Sequence, residues 1–199
     1  AYILTLIYEA FGVDYDATTI DQATKTVEIH QPDGRNDIQQ QIEHGALSVM
    51  AGYRALGRLY RGIICNDLRQ YVLLGDPANM TDGIPGGEDD RWVFTENNPP
   101  RELSTAAQLA AVSRALTGFN DGLAQEALAA ARELFRVTDH KGSEWAQLAA
   151  VHAASELLIT TGGEEYRQYL LAAAELIAAN IRRTGWLAAR VLPFVKDDA

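Results

Sequence analysis

Residues 89–92, Asp89-Asp90-Arg91-Trp92, set two carboxylates, a guanidinium and an indole in a row. They end a Gly- and Asp-rich segment, residues 71–92 (YVLLGDPANMTDGIPGGEDDRW), that runs between helical blocks. Loops this long are uncommon in compact domains, and those that occur are usually functional or disordered. Trp92, Val93 and Phe94 at its far end argue against disorder. An aromatic beside charged groups suits a sugar site. The indole covers the apolar C–H face of a pyranose, while carboxylates and guanidinium bind its hydroxyls. The competing reading is a surface turn with a half-buried Trp.

A glycosidase also needs two carboxyl groups across the scissile bond. Asp76, Asp82, Glu88, Asp89 and Asp90 are the candidates in this segment, and their spacing singles out no pair. Solvated loop carboxylates are the simpler account. Carboxylates and loop carbonyls suit a hard cation such as calcium, but the spacing matches no EF-hand loop. The histidines are His30, His44, His140 and His152, with no HExxH and no two on one helix at four-residue spacing, which disfavours zinc. His30, flanked by Glu28 and Asp33, is either a site residue or the donor of a turn hydrogen bond. His44 and His152 read as structural, His152 as a satisfied core or boundary residue. No GxSxG, P-loop or dinucleotide fingerprint is present, and Cys65 reads as a small buried residue.

The elements that must position these groups are mostly helical. Residues 1–11 read as the end of an apolar helix closed by Gly12, and 25–30 (KTVEIH) as a short strand before the Pro32-Asp33-Gly34 turn. Residues 37–56 read as a helix capped by Asn36 and stopped by Gly57, with Ile38, Ile42, Ala46, Val49 and Tyr53 on one face. Residues 59–74 read as extended or mixed strand and turn. Pro99-Pro100 ends the long loop. Ala-rich helices follow over 104–117, 120–137, 143–161 and 164–184, with Asn120 and Ser143 as N-caps and Gly118 and Gly162-Gly163 as stops. A fifth helix starts at Gly185 and is interrupted by Pro193. Successive antiparallel helices on short Gly turns make αα-hairpins, and alanine at their contacts lets backbones approach closely.

The 199 residues suffice for one domain with a real core. A formal net charge of −10, from 27 acidic and 17 basic residues, argues against nucleic acid, which needs clustered Lys and Arg. A neutral polysaccharide remains compatible. One cysteine allows no intrachain disulfide, and no apolar run approaches the roughly 20 residues of a membrane span. The opening Ala1-Tyr2-Ile3-Leu4 and the closing Lys196-Asp197-Asp198-Ala199 look cut from a longer protein. About seven helices are too few to close a ring of hairpins, so apolar helix faces are expected to stay uncovered.

Taken in order, the blocks resemble the catalytic module of glycoside hydrolase family 9. Gln41-Ile42-Glu43-His44-Gly45 with Tyr53-Arg54 looks like the family's helix before the substrate cleft. Tyr71-Val72-Leu73-Leu74-Gly75-Asp76 is similar to its Tyr-x-x-x-Gly-Asp segment. Asp89-Asp90-Arg91-Trp92 sits where an Asp, a basic residue and a Trp commonly line sugar subsites. Residues 104–116 (STAAQLAAVSRAL) match its Ala-rich helix, and 157–166 (LLITTGGEEY) its helix-end turn.

The resemblance implies an all-α chain, an incomplete (α/α)6 barrel with a long irregular loop, forming part of a catalytic domain over residues 1–199. It implies a secreted or periplasmic hydrolase that cleaves β-glucan or cellulose-type links with inversion. Substrate contacts would come from Trp92, Arg91 and Asp90, with Tyr71 and His30 weaker. The family's Asp-Ala-Gly-Asp base motif would precede Ala1. Its His-x-Arg motif and Glu proton donor would follow Ala199. No catalytic acid or base is therefore assigned in this chain, which would be inactive alone. The partners implied are a β-glucan oligosaccharide or polysaccharide and the remainder of the catalytic domain. Ser143-Glu144-Trp145 does not reproduce the family's calcium cluster, so no metal is carried over. Two rivals stand beside this reading: a non-catalytic carbohydrate-binding domain and a helical-repeat interaction domain.

Overall fold

A computed structural model describes residues 1–21, 23–65, 84 and 91–195, with Ile64, Cys65 and Arg91 as backbone only. Tyr71 and the carboxylates Asp76, Asp82, Glu88, Asp89 and Asp90, with the carbonyls beside them that would make the candidate calcium loop, lie outside the described residues. The chain forms two compact units, one of Ala1–Met50 with the chain from Asn98 onward, the other Ala51–Asn97.

The first unit is helical. It holds α1 (Tyr2–Phe11), most of α2 (Asp37–Leu56), α3 (Pro99–Leu116), α4 (Asp121–Val137), α5 (Glu144–Thr161), α6 (Glu164–Ala172), α7 (Ala174–Ala179) and α8 (Ile181–Val195). Local chemistry sets most boundaries. The Asn36 side chain accepts from the N–H groups of Ile38 and Gln39, and Asn120 and Ser143 do the same for Leu123 and Ala146. Gly12 and Gly162 end α1 and α5 in the left-handed region, at φ 56° and 65°.

The structure differs from the sequence reading in several places. Pro99-Pro100 opens α3 rather than only ending the loop, because the first turn of a helix needs no N–H from proline. Asn98 caps it, accepting from Arg101 N at 3.2 Å. The helix expected over 164–184 breaks at Ala173 and at Asn180. At the second break the Thr184 hydroxyl donates to the carbonyls of Ile177 and Asn180, so the interruption leaves those groups bonded. Pro193 lies within α8 without ending it, since it falls in the last turn and is exposed. A strand, β1 (Thr18–Asp21), pairs antiparallel with β2 (Thr26–Ile29), so the expected strand belongs to a hairpin. The buried face of α2 runs Gln39, Ile42, Ala46 and Met50, with Val49 only half-buried.

Packing defines an inner row. α3 packs on α1, α4 and α5, and α5 packs on α3, α6 and α8. Residues 117–120 join α3 to α4 and Gly162-Gly163 joins α5 to α6; such short links make sequential helices antiparallel. The helices α3, α5 and α8 share one direction, since Ser104, Trp145 and Arg183 meet near their starts and Arg114, Glu156 and Arg190 meet further along. Their contacts are lined by small residues: Ala106, Ala107, Ala110 and Ala111 on α3, and Ala146, Ala150, Ala153 and Ala154 on α5, all buried. Gln39 reaches this core from α2, donating to the Ala115 carbonyl at 2.7 Å.

Among its described residues, the second unit holds the end of α2 and a hairpin, β3 (Gly62–Cys65) antiparallel to β4 (Arg91–Phe94). Arg61 pairs with Glu96 at 2.7 Å, and Arg58 donates to the Glu96 carbonyl. Gly52 is required there, because a Cβ would collide with the Tyr60 ring.

Candidate functional site

Ionisable groups on a core helix must find partners, because the interior cannot solvate them. Glu156 of α5 has no solvent exposure and gathers three elements around it. Its carboxylate accepts from the Tyr2 hydroxyl of α1 at 2.6 Å, from Arg114 of α3 at 2.7 Å and from Arg190 of α8 at 3.2 and 3.3 Å. Arg114 also pairs with Glu9 at 2.8 Å and donates to Thr160 Oγ1 at 2.6 Å. Burial alone would lower the Arg114 guanidinium; its hydrogen bond to Glu9 and the charges of Glu156 and Glu9 outweigh this and hold it raised. Burial, then the bond to Glu156, push the Tyr2 phenol far above its ordinary value.

One helical turn before Glu156, His152 Nε2 meets the Tyr2 oxygen at 2.9 Å. Its ring stands edge-on to Tyr2 at 5.1 Å and to Trp186 at 5.3 Å. Burial lowers its pKa below 6.5; the Glu156 charge opposes this and Arg190 adds to it.

His152 also lines a cleft of about 450 Å³ with Ser104, Trp145, Arg183, Trp186 and Leu187. These residues come from the N-terminal halves of α3, α5 and α8, which the shared direction of those helices brings together. Trp145 and Trp186 are 61% and 44% exposed, so both indoles have free surface. The Arg183 guanidinium lies 4.6 Å from the centre of the Trp145 ring. Arg182 and Arg183 occupy the first turn of α8, which has no acidic residue. Cations there oppose the helix dipole, so they do not stabilise the start of α8. The cleft can therefore clamp a ring with an apolar face and polar edges. No carboxylate lines it among the described residues.

The residues expected from the sequence lie elsewhere or outside the described set. His30 follows β2 on the surface at φ 63° and does not line the cleft. Trp92 is on β4 in the second unit, 59% exposed and opposite Ile64. Arg91 neighbours it along the strand, while Asp90 and Tyr71 are outside the described residues. Among the described residues no group of three His, Cys, Asp or Glu could hold a metal, and no helix is long and apolar enough to cross a membrane. The reading of His152 as a satisfied residue agrees with its bond to Tyr2, but its cleft face and Glu156 went unread. The available signal was His and Glu four apart in an otherwise apolar run, AAVHAASELL.

Compared with known proteins, the chain matches no family model, no curated protein and no solved structure.

Proposed function

We propose that this chain is the helical part of a glycoside hydrolase that cleaves β-glucan or cellulose-type O-glycosidic bonds with inversion. The cleft between α3, α5 and α8 holds a sugar ring of the substrate. The observation that carries this reading is the pair of exposed indoles, Trp145 and Trp186, set around His152 and Arg183 in one cleft. Indole faces bind the C–H face of a pyranose, and the polar groups take its hydroxyls.

The inner row with outward-lying α4 and α6 supports an arc of an (α/α)6 toroid, and the ordered motifs of the sequence support the family. Trp92, Arg91, Asp90, Tyr71 and His30 are proposed as further substrate contacts. The setting is extracellular or periplasmic.

A second reading has its own observation. With no carboxylate among the cleft's described lining residues, the chain suits carbohydrate binding without cleavage. Titration of the chain with cellohexaose, followed by tryptophan fluorescence and calorimetry, tests the shared claim. Binding should weaken about tenfold or more in Trp186→Ala, a loss of roughly 1.4 kcal/mol or greater. Failure of cellohexaose and every other β-glucan oligosaccharide to bind at millimolar concentration rejects a sugar cleft. Joining the chain to the rest of a catalytic domain and assaying β-glucan hydrolysis separates the hydrolase from the binding module.

A further inference from the structure

We infer that His152 is a ligand-binding residue whose Nδ1 accepts a hydroxyl hydrogen in the cleft, held in that state by a relay through Tyr2 to Glu156. The ligand half of this rests on the sugar reading of the cleft; the relay does not.

Hydrogen counting fixes the relay. The Glu156 carboxylate is gripped by Arg114 and Arg190, so it acts only as an acceptor. Tyr2 has one hydroxyl hydrogen. At 2.6 Å from Glu156 Oε1, two oxygens without a hydrogen between them would repel, so Tyr2 donates there. Its oxygen is then left to accept, and the partner at 2.9 Å is His152 Nε2. Nε2 must therefore carry the hydrogen. In a neutral imidazole the other nitrogen is then a lone pair.

His152 is kept neutral by its surroundings. Partial burial of its ring disfavours the charged form, Arg190 adds to this and Glu156 opposes it; Arg183 lines the same cleft, and Arg114 and Glu9 join the network around Glu156. Nδ1 has no partner among the described residues and is not one of the buried orphan atoms. The ring lines the cleft together with both indoles and stands edge-on to Trp186. An acceptor there complements Arg183, which only donates. Together they would fix the orientation of a polyol ring that the indoles hold by its face. Tyr2 and Glu156 are positioning residues, because they act through His152.

Long-range 15N–1H correlation on the free chain near neutral pH reads the tautomer directly. The expected result is hydrogen on Nε2 of His152, and mixed tautomers in Tyr2→Phe. Calorimetry with cellohexaose should show about tenfold weaker binding in His152→Gln, with its fold checked by the amide spectrum. Hydrogen on Nδ1 of the free protein overturns the inference and leaves the sugar cleft standing. An Nε2 hydrogen with unchanged affinity in both His152→Gln and Tyr2→Phe overturns the ligand role. Loss of all oligosaccharide binding in the native chain, with the tautomer as expected, overturns the sugar reading instead.

Discussion

The α5 helix and the β4 strand each carry a tryptophan next to a charged residue, Glu144-Trp145 on one and Arg91-Trp92 on the other. Their surroundings are opposite. α5 has eleven buried residues and packs on α3, α6 and α8. Among the described residues β4 pairs with β3 alone, and Trp92, Val93 and Phe94 are all exposed, as is Ile63 across the ladder. A two-stranded hairpin is marginal without further packing. The contrast teaches that an aromatic beside charge is not a site by composition. Trp145 gains meaning because α5 packs on α8, which sets Trp145 and His152 of α5 beside Arg183 and Trp186 of α8 in one cleft.

The comparison breaks first at Glu156. If the α5 region owes its stability to that buried carboxylate, Glu156→Gln should lower the unfolding free energy by about 3–5 kcal/mol, because it removes the buried anion from Arg114 and Arg190 and leaves them the partly exposed Glu9. A denaturant midpoint within about 0.5 kcal/mol of the parent would show that the network is decorative. Next comes a matched pair of core and hairpin truncations. Leu157→Ala, at a fully buried position, should cost about 2–5 kcal/mol. Val93→Ala, at a position 45% exposed, should stay within about 0.5 kcal/mol. Equal losses would mean that the hairpin is packed in solution.

The helical half was legible because its signals are local and periodic. Asn36, Asn120 and Ser143 announce helix starts through side-chain oxygens, and Gly12, Gly57 and Gly162 announce stops through positive φ. Pro99-Pro100 was ambiguous because proline punctuates a loop and opens a helix equally well. The break at Asn180 was hidden because Tyr166, Leu170, Ala173, Ile177 and Ile181 keep helical step across it. The Thr184 hydroxyl that makes the break tolerable acts through space. The site was hidden for the same reason. Tyr2, Arg114, Glu156 and Arg190 meet across up to 154 residues of sequence, and no spacing rule reports that. The segment over 71–92 drew attention because its composition is unusual, whereas Trp145 and Trp186 sit in helices that look ordinary.

A smaller effect tests whether the α5 end of the cleft is set by caps. Ser143 Oγ accepts from the Ala146 N–H at 3.1 Å, just before Trp145. Ser143→Ala should cost about 1 kcal/mol and loosen the stacking of Trp145 under Arg183, visible as a change in tryptophan emission. Loss of stability without a spectral change would separate the cap from the cleft.

The smallest effect is a pH dependence carried by His152. Its folded pKa is depressed below 6.5 by burial, so the unfolded chain binds a proton more readily than the native one. Stability from this residue is whole above about 6.5 and falls as the pH drops from there towards the lower folded value, because protonation favours the unfolded state across that window. Asp21, Asp33, Glu133 and Glu164 have lowered carboxyls whose effects come in more acidic solution, near their ordinary range. His152→Gln keeps a group able to reach Tyr2 but cannot titrate. The difference between native and variant unfolding free energies should therefore change with pH in the native chain's disfavour just below 6.5, and level off at lower pH. A difference that is flat from pH 7.5 to 5 would mean that His152 charges as easily folded as unfolded. The imidazole would then be as well solvated in the folded chain as in the unfolded one, and the contrast between a packed α5 region and an exposed hairpin would lose its sharpest local support.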